Sequence, residues 1–253
     1  MSSPRFIPGF LALFSLIAPS ALVAQAETTA APPTGTFLDK PIDQLTADEV
    51  LKLVRTSYTL FNRDFTGTLQ SNQMLLKKIN FLMSLKTESI RFLFNEPAQT
   101  IYLDTKGESF ALLEGIDGQE LTPVPPDKFG QNIRGTDVTY DDLSMRFLYW
   151  PDAKIDALER IKQQDCWVVG IRNPDGAGAY ATVRIWIDKA SGGMLKMMGY
   201  NKEGRPIRRF EVISAKKFDD IWMVDEMRIE TLSPGAGSQI TSSTRMSIKS
   251  SAP

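Results

Sequence analysis

The chain has 253 residues, of which 42% are hydrophobic and 23% charged, an ordinary balance for a globular protein that buries a sizeable core. Its net charge of −1 gives no electrostatic footprint for nucleic acid, so no nucleic-acid partner is expected. It contains no histidine, which excludes Ser–His and Cys–His nucleophile pairs and every metal site that uses histidine, while carboxylate and lysine chemistry remain open.

Residues 1–26 have the pattern of a cleavable signal peptide. Arg5 precedes an apolar stretch of about ten residues, "GFLALFSLIA", which is too short to span a bilayer as a helix. Ala24-Gln25-Ala26 then offers an A-x-A cleavage site, so we expect cleavage after Ala26 and export to the periplasm. The single cysteine, Cys166, is far from that site, so no lipid anchor and no internal disulfide are expected.

Residues 27–44 are rich in Thr, Ala and Pro and predict a disordered lead-in. The folded domain is predicted over 45–250. Thr46 and Glu49 form a capping box at the start of a helix, and Val50, Leu51 and Val54 give that helix one apolar face.

From residue 64 onward the hydrophobic period changes from that of a helix to the alternation of β-strands. Turn residues bound each segment, and no further helix of comparable quality interrupts the C-terminal half, so parallel βαβ units are not expected. The pattern predicts one antiparallel meander of nine to eleven strands. Several strands are apolar on both faces, which fits a plain core packed on both faces of the sheet. The alternative is an apolar cavity, because a single covering helix cannot fill a wide concavity.

The segment "GTDVTYDDLS" places Asp137, Asp141 and Asp142 within six residues. Thr139 and Asp142 have the spacing of a capping box, Asp141 falls in the first turn of the same short helix, and Asp137 can close the turn after Gly135. This spacing does not match a calcium loop, so we predict neither a metal site nor a catalytic site here. A basic cluster over residues 205–217 is interpreted as a solvated outer face, with Arg208 and Arg209 on opposite sides of one strand. The alternative is a docking surface for an acidic partner or for lipid head groups.

Five segments together resemble the LolA/LolB-like superfamily, in particular the bacterial outer membrane lipoprotein-sorting group: "TADEVLKLVRTSY", "RFLFNEPAQTIYL", "GTDVTYDDLS", "VRIWIDKASGGMLKMMGYNKEGR" and "FDDIWMVDEMRIETL". The resemblance extends from about Thr46 to Lys249. It implies a mainly β fold, a single strongly curved antiparallel sheet that forms an open half-barrel, with an N-terminal helix and a short helix covering the concave face. Glu96-Pro97 stands where the well-studied carriers have an Arg-Pro pair whose arginine holds the helical lid.

The resemblance implies a periplasmic carrier, not an enzyme, that binds lipid or lipoprotein acyl chains for sorting to the outer membrane. It would work as a monomer without cofactor, between an inner-membrane exporter and an outer-membrane receptor. The predicted ligand-binding residues are apolar and lie on the lid helix and on strand faces: Val50, Val54, Ile90, Phe92, Phe94, Ile101, Leu103, Trp167, Val169, Val183, Ile185, Leu195 and Met197.

Two alternatives remain open. The same fold occurs in periplasmic regulators that bind an anti-sigma factor and sense envelope stress, in which case the function would be a protein–protein interface. A hydrolase would have to use Asp137, Asp141 or Glu96, without any paired-carboxylate geometry visible in the sequence.

Overall fold

The computed structural model describes residues 41–59, 62–73, 78–106, 110–218, 221–235 and 238–250. Within them thirteen strands form a single antiparallel sheet. The predicted signal peptide and most of the lead-in lie outside the described residues. The strands are β1 (Arg63–Ser71), β2 (Lys78–Lys86), β3 (Ser89–Phe94), β4 (Gln99–Asp104), β5 (Ala111–Ile116), β6 (Thr122–Pro123), β7 (Lys154–Ile161), β8 (Gln164–Arg172), β9 (Thr182–Asp188), β10 (Met194–Tyr200), β11 (Pro206–Phe218), β12 (Ile221–Leu232) and β13 (Ile240–Ser250).

The sheet consists of two meanders that meet in its middle. Strands β1 to β6 run outward to one edge, strands β7 to β13 run inward from the other edge, and β13 pairs with β1. The edge strands β6 and β7 do not pair with each other, so the curved sheet stays an open half-barrel, which confirms the predicted fold class. The predicted count of nine to eleven strands was too low. β6 has only two residues and both faces of β7 are largely exposed, so neither strand shows a clear alternation.

The helix α1 (Ala47–Thr59) lies on the concave face of the sheet. Its capping box is present: the Thr46 amide donates to Glu49 Oε2 at 2.7 Å, and the Glu49 amide donates to Thr46 Oγ1 at 3.3 Å. Val50, Leu51 and Val54 are fully buried against the strands, so the apolar face predicted from the sequence is the face that packs.

Residues 124–153, here called the covering segment, also cross the concave face. They connect β6 at one edge of the sheet to β7 at the other, so the strand order obliges the chain to pass from edge to edge. The segment contains the short helix α2 (Tyr140–Ser144), and its apolar side chains enter the main core of the protein. These buried side chains include Ile133, Val138, Leu143, Phe147 and Trp150.

A smaller apolar cluster lies on the convex face, where Cys166, Val168 and Trp186 are buried beneath partly exposed neighbours. Cys166 is a buried free cysteine, and burial is the main reason that the pKa of its thiol is raised to about 11. In the part of the chain that the structure describes, no helix is long and apolar enough to cross a membrane.

Candidate functional site

The concave face gathers almost all of the predicted ligand-binding residues. Twelve of the thirteen are buried in one apolar core that α1 and the covering segment share with the sheet. They come from α1, from strands β3 and β4 of one meander, and from strands β8, β9 and β10 of the other. The twelve are Val50, Val54, Ile90, Phe92, Phe94, Ile101, Leu103, Trp167, Val169, Val183, Ile185 and Met197.

Leu195 was placed on the wrong face. The register of β10 against β9 shifts between Met194 and Lys196, so the simple alternation that would put Leu195 beside Met197 is broken. Met194 takes the inner position, and Leu195 packs against the convex cluster around Trp186. A one-residue irregularity of this kind moves a side chain to the opposite face and leaves no mark in the hydrophobic pattern.

Over the residues that the structure describes, apolar side chains fill the concave face, and the wide apolar cavity expected from the sequence is not seen. A pocket between α1 and the covering segment, lined in part by Ile90, Leu103 and Met145, has a volume of about 20 Å³, which is room for about one water molecule. The prediction was wrong because it counted one covering helix. The covering segment adds large apolar side chains such as Phe147 and Trp150, which occupy the concavity.

The acidic run lies in the covering segment, and its predicted capping box is confirmed. Thr139 caps α2 by accepting a hydrogen bond from the Asp142 amide, and the Asp142 carboxylate accepts one from the Thr139 amide at 2.9 Å. The same carboxylate accepts a hydrogen bond from the Tyr180 hydroxyl and lies 3.5 Å from the Arg208 guanidinium. Tyr180 can approach because Gly199 lies beneath its ring, where a Cβ atom would be 2.4 Å from the ring carbons.

Arg208 is buried on the concave face, so the interpretation of this arginine as part of a solvated outer surface was wrong. Burial alone would lower its pKa, but the carboxylates of Asp142 and Asp137 raise the pKa above its ordinary value. The guanidinium also donates to the Thr231 hydroxyl at 2.5 Å. Arg209 faces the other way, as the alternation predicted, and its guanidinium pairs with Glu230.

Asp137 is a buried residue of the covering segment that points to the sheet, and it does not close the local turn as expected. Its carboxylate accepts hydrogen bonds from three hydroxyls of β12 and β13: Thr231 at 2.6 Å, Thr244 at 2.8 Å, and Ser242. Because Thr231 also contacts Arg208, a continuous polar chain runs from Tyr180 to β13. It anchors the covering segment to the C-terminal meander.

Asp141 is also buried, and it pairs with Arg146 of the same segment. Burial raises the pKa of the Asp141 carboxyl above its ordinary value, although Arg146 and the Ala179 amide act in the opposite direction. The Arg146 guanidinium lies over the rings of Phe129 and Trp150, 4.4 and 5.2 Å from their centroids. Because the Ala179 amide donates to Asp141, this ion pair also ties the covering segment to the loop before β9.

A second anchor joins the covering segment to β4 and β5 of the N-terminal meander. Burial alone would raise the pKa of Glu114, but hydrogen bonds from Lys128, Tyr140 and Gln99 outweigh it, so this pKa lies below its ordinary value.

Arg134 of the same segment reinforces this anchor. It donates to the carbonyl oxygens of Glu96 and Pro97 and lies 4.9 Å from the centroid of the Phe94 ring. An arginine contact is therefore present at Glu96-Pro97, but the arginine comes from the covering segment and not from the position before Pro97.

The polar residues of this region hold the covering segment against the sheet. The carboxylates of Asp137, Asp141, Asp142 and Glu114 each accept hydrogen bonds from protein groups. Among the described residues, no group of three acidic or cysteine side chains is placed to hold a metal ion. The sequence reasoning missed Tyr180 and Thr231, which have no local signature. Ser242 and Thr244 had one, because they interrupt the apolar inner positions of a strand that continues with Met246 and Ile248.

Comparisons with known proteins agree with this architecture. A family model whose description reads "Uncharacterized protein" matches residues 119–251, just over half of the chain, from the turn before β6 through β13. The chain belongs to this family. No curated protein matches the sequence significantly.

Three solved structures show the same fold. A protein described as an outer membrane lipoprotein-sorting protein domain, from Vibrio parahaemolyticus, is 18% identical with a TM-score of 0.60, over 80% of this chain and 91% of that one. A DUF1329 family protein from Desulfovibrio piger is 16% identical with a TM-score of 0.60, over 82% and 94%. A LolA superfamily protein from Nitrosomonas europaea is 13% identical with a TM-score of 0.58, over 83% and 95%. The predicted LolA/LolB-like fold is therefore confirmed.

Proposed function

We propose that the protein is a periplasmic carrier that binds lipid or lipoprotein acyl chains on its concave face for sorting to the outer membrane, and that it is not an enzyme. The observation that carries this proposal is the large apolar core on the concave face, built by both meanders of a sheet that stays open between β6 and β7. The similarity to a structure described as an outer membrane lipoprotein-sorting domain supports the same conclusion.

The chemistry of the face suits a ligand that must be bound and released. Each methylene group removed from water stabilises a bound acyl chain by about 0.8 kcal/mol, so a long chain needs no polar contact for useful affinity. Met83, Met194 and Met197 contribute flexible side chains to the core, which favours adaptable contacts with chains of different shape. The ion pairs of Lys128 with Glu114 and of Asp142 with Arg208 join the covering segment to the sheet, so they stabilise the protein's own fold.

A cargo chain must displace part of α1 or of the covering segment, because the described residues leave no space for it on the concave face. Leu51 and Phe147 are fully buried there and fill the position that an acyl chain would take. When no cargo is bound, α1 and the covering segment shield the apolar face from water. Cargo binding then exchanges one set of apolar contacts for another. An inner-membrane exporter and an outer-membrane receptor would be the partners that supply and accept the cargo.

The direct test is uptake of an acyl chain by the whole mature protein. Protein purified from its own envelope should carry lipid that mass spectrometry detects after extraction. The delipidated protein should remove a pyrene-labelled phosphatidylcholine from donor vesicles, and a triacylated cysteine peptide should compete for it. A native sample without lipid, together with no uptake of the labelled phospholipid, would contradict the proposal. Recovery of an anti-sigma factor from an envelope pull-down, without lipoproteins, would favour the regulator.

A further inference from the structure

Strand β7 carries apolar residues of the concave face that α1 and the covering segment leave exposed. The register of β7 against β8 shifts between Ile155 and Ala157, and both Ile155 and Leu158 stand opposite inner-face residues of β8. Ile155 faces Val169, and Leu158 faces Trp167, which are both buried in the main core. Directly paired residues of antiparallel strands share a face, so Ile155 and Leu158 belong to the concave side.

These two side chains are nevertheless open to solvent. Ile155 is 36% exposed and Leu158 is 64% exposed, whereas their partners Val169 and Trp167 are at most 2% exposed. α1 contacts β7 but leaves these two side chains exposed. The apolar surface of the concave face therefore extends beyond the part that α1 covers. β7 is also the last strand of the sheet, with no neighbour on its outer side.

The opposite edge is built differently. β6 has two residues, one of them Pro123, and Pro125 follows it, so that edge offers little backbone. Ile116 and Leu121 are exposed near this edge, but Ile116 stands opposite the polar Gln99. At β7, by contrast, the exposed apolar side chains stand opposite buried apolar ones.

We propose that Ile155 and Leu158 form the entry strip for acyl chains, over which a chain first contacts the protein before it passes beneath α1. This inference rests on the proposed function and names its entrance. An acyl chain is the occupant that the geometry favours, because the strip is continuous with Trp167 and Val169, at the place where the proposed binding face comes to the surface.

The test compares two exposed leucines on opposite faces of the sheet. Leu158→Glu puts a charge on the proposed strip. Leu82→Glu is the matched control, because Leu82 is 43% exposed in the middle of β2 and points away from the concave face, between the buried Phe81 and Met83. The measured quantity is the rate at which each variant takes pyrene-labelled phosphatidylcholine from vesicles. Leu158→Ala is a milder change at the same position. Thermal unfolding of each variant checks that both leucine positions tolerate the substitution.

We expect Leu158→Glu to slow uptake at least about fivefold, because a chain would lose much of the apolar contact of one leucine, and Leu158→Ala to slow it less. Leu82→Glu should stay within about twofold of the wild type. Equal rates for the two glutamate variants, with normal wild-type uptake, would overturn the entry strip and leave the carrier function standing. A wild type that takes up no lipid would refute the carrier function, and the strip with it. A wild-type dimer that Leu158→Glu dissociates would assign the strip to a second copy of the chain and overturn the inference.

Discussion

Asp137 is one of several buried charged residues that lie between the covering segment and the sheet. Such a charge is tolerated only when it is hydrogen-bonded and paired. Three hydroxyls supply the hydrogen bonds, and the nearby Arg208 supplies the opposite charge. The arrangement is specific to a carboxylate, because both of its oxygens accept and neither donates.

Replacing Asp137 by Asn should destabilise the protein by about 2–3 kcal/mol, because an amide nitrogen would replace one acceptor oxygen and Arg208 would lose a nearby negative charge. Urea unfolding followed by circular dichroism measures this change. Asp127→Asn, at an exposed position of the same covering segment, is the control and should change stability by less than about 0.5 kcal/mol. Equal stability of the two variants would show that the hydroxyl cluster does not depend on the charge.

Sequence reasoning succeeded at single residues when the partner was local. The two capping boxes, Thr46 with Glu49 and Thr139 with Asp142, join residues three positions apart and were predicted correctly. The contact between Tyr180 and Asp142 joins residues 38 positions apart and has no such signature. The roles of Asp137 and Arg208 were missed for the same reason, because a charge in the sequence gives no sign of burial until the fold is known.

The two elements that cover the concave face are attached in different ways. The covering segment is anchored by buried carboxylates at both meanders. α1 packs mainly through apolar side chains, with a hydrogen bond from Arg55 to the Leu148 carbonyl at 2.6 Å. Just before it, Asp43 forms an exposed ion pair with Lys189, of a kind that contributes little. α1 is therefore the part of the cover that should move when cargo enters.

A disulfide between α1 and the β9–β10 turn should stop lipid uptake. A Cβ atom built on Gly192 would be 3.4 Å from the Leu53 Cβ, close to the separation in disulfides, so the Leu53→Cys, Gly192→Cys variant can form the bond. Gly192 has a positive φ of 70°, so a cysteine there costs about 1 kcal/mol, which the cross-link offsets. Transfer of pyrene-labelled phosphatidylcholine should fall at least about tenfold in the oxidised form.

Reduction of the same sample should restore uptake, and the single variant Leu53→Cys should behave like the wild type under both conditions. Cys166 is buried on the convex face and stays in all three proteins. Undiminished uptake by the fully oxidised double variant would mean that cargo enters without movement of α1, and the covering segment would then be the part that opens.

At the level of whole elements, the sequence predicted what depends on alternation. Strands with one buried face, such as β3, were recognised from period two. β7 was not, because its two faces are both largely exposed and its bulge breaks the alternation. The bulge in β10 caused the misplacement of Leu195 for the same physical reason.

The topology of the whole sheet explains why the concave face is covered. Two meanders meet at β1 and β13, so the link between them must run from one outer edge to the other. That link is the covering segment, which brings its own core side chains and its carboxylates across the face. The antiparallel meander was predictable from hairpin spacing, but the pairing of Leu69 with Met246 joins distant parts of the sequence and was not.

This architecture makes β13 essential to the whole molecule. It is the strand that joins the two meanders, and it supplies Ser242 and Thr244 to Asp137. A chain that ends at Ser233 should therefore lose its cooperative thermal transition and its near-ultraviolet circular dichroism, because two long inner strands, β1 and β12, would become unpaired edges. A chain that ends at Ser250 keeps every strand and should unfold at the wild-type temperature. If the shorter chain still unfolded cooperatively with native near-ultraviolet signals, each meander would have to fold without the other, and the concave face could not be the single core that the structure shows.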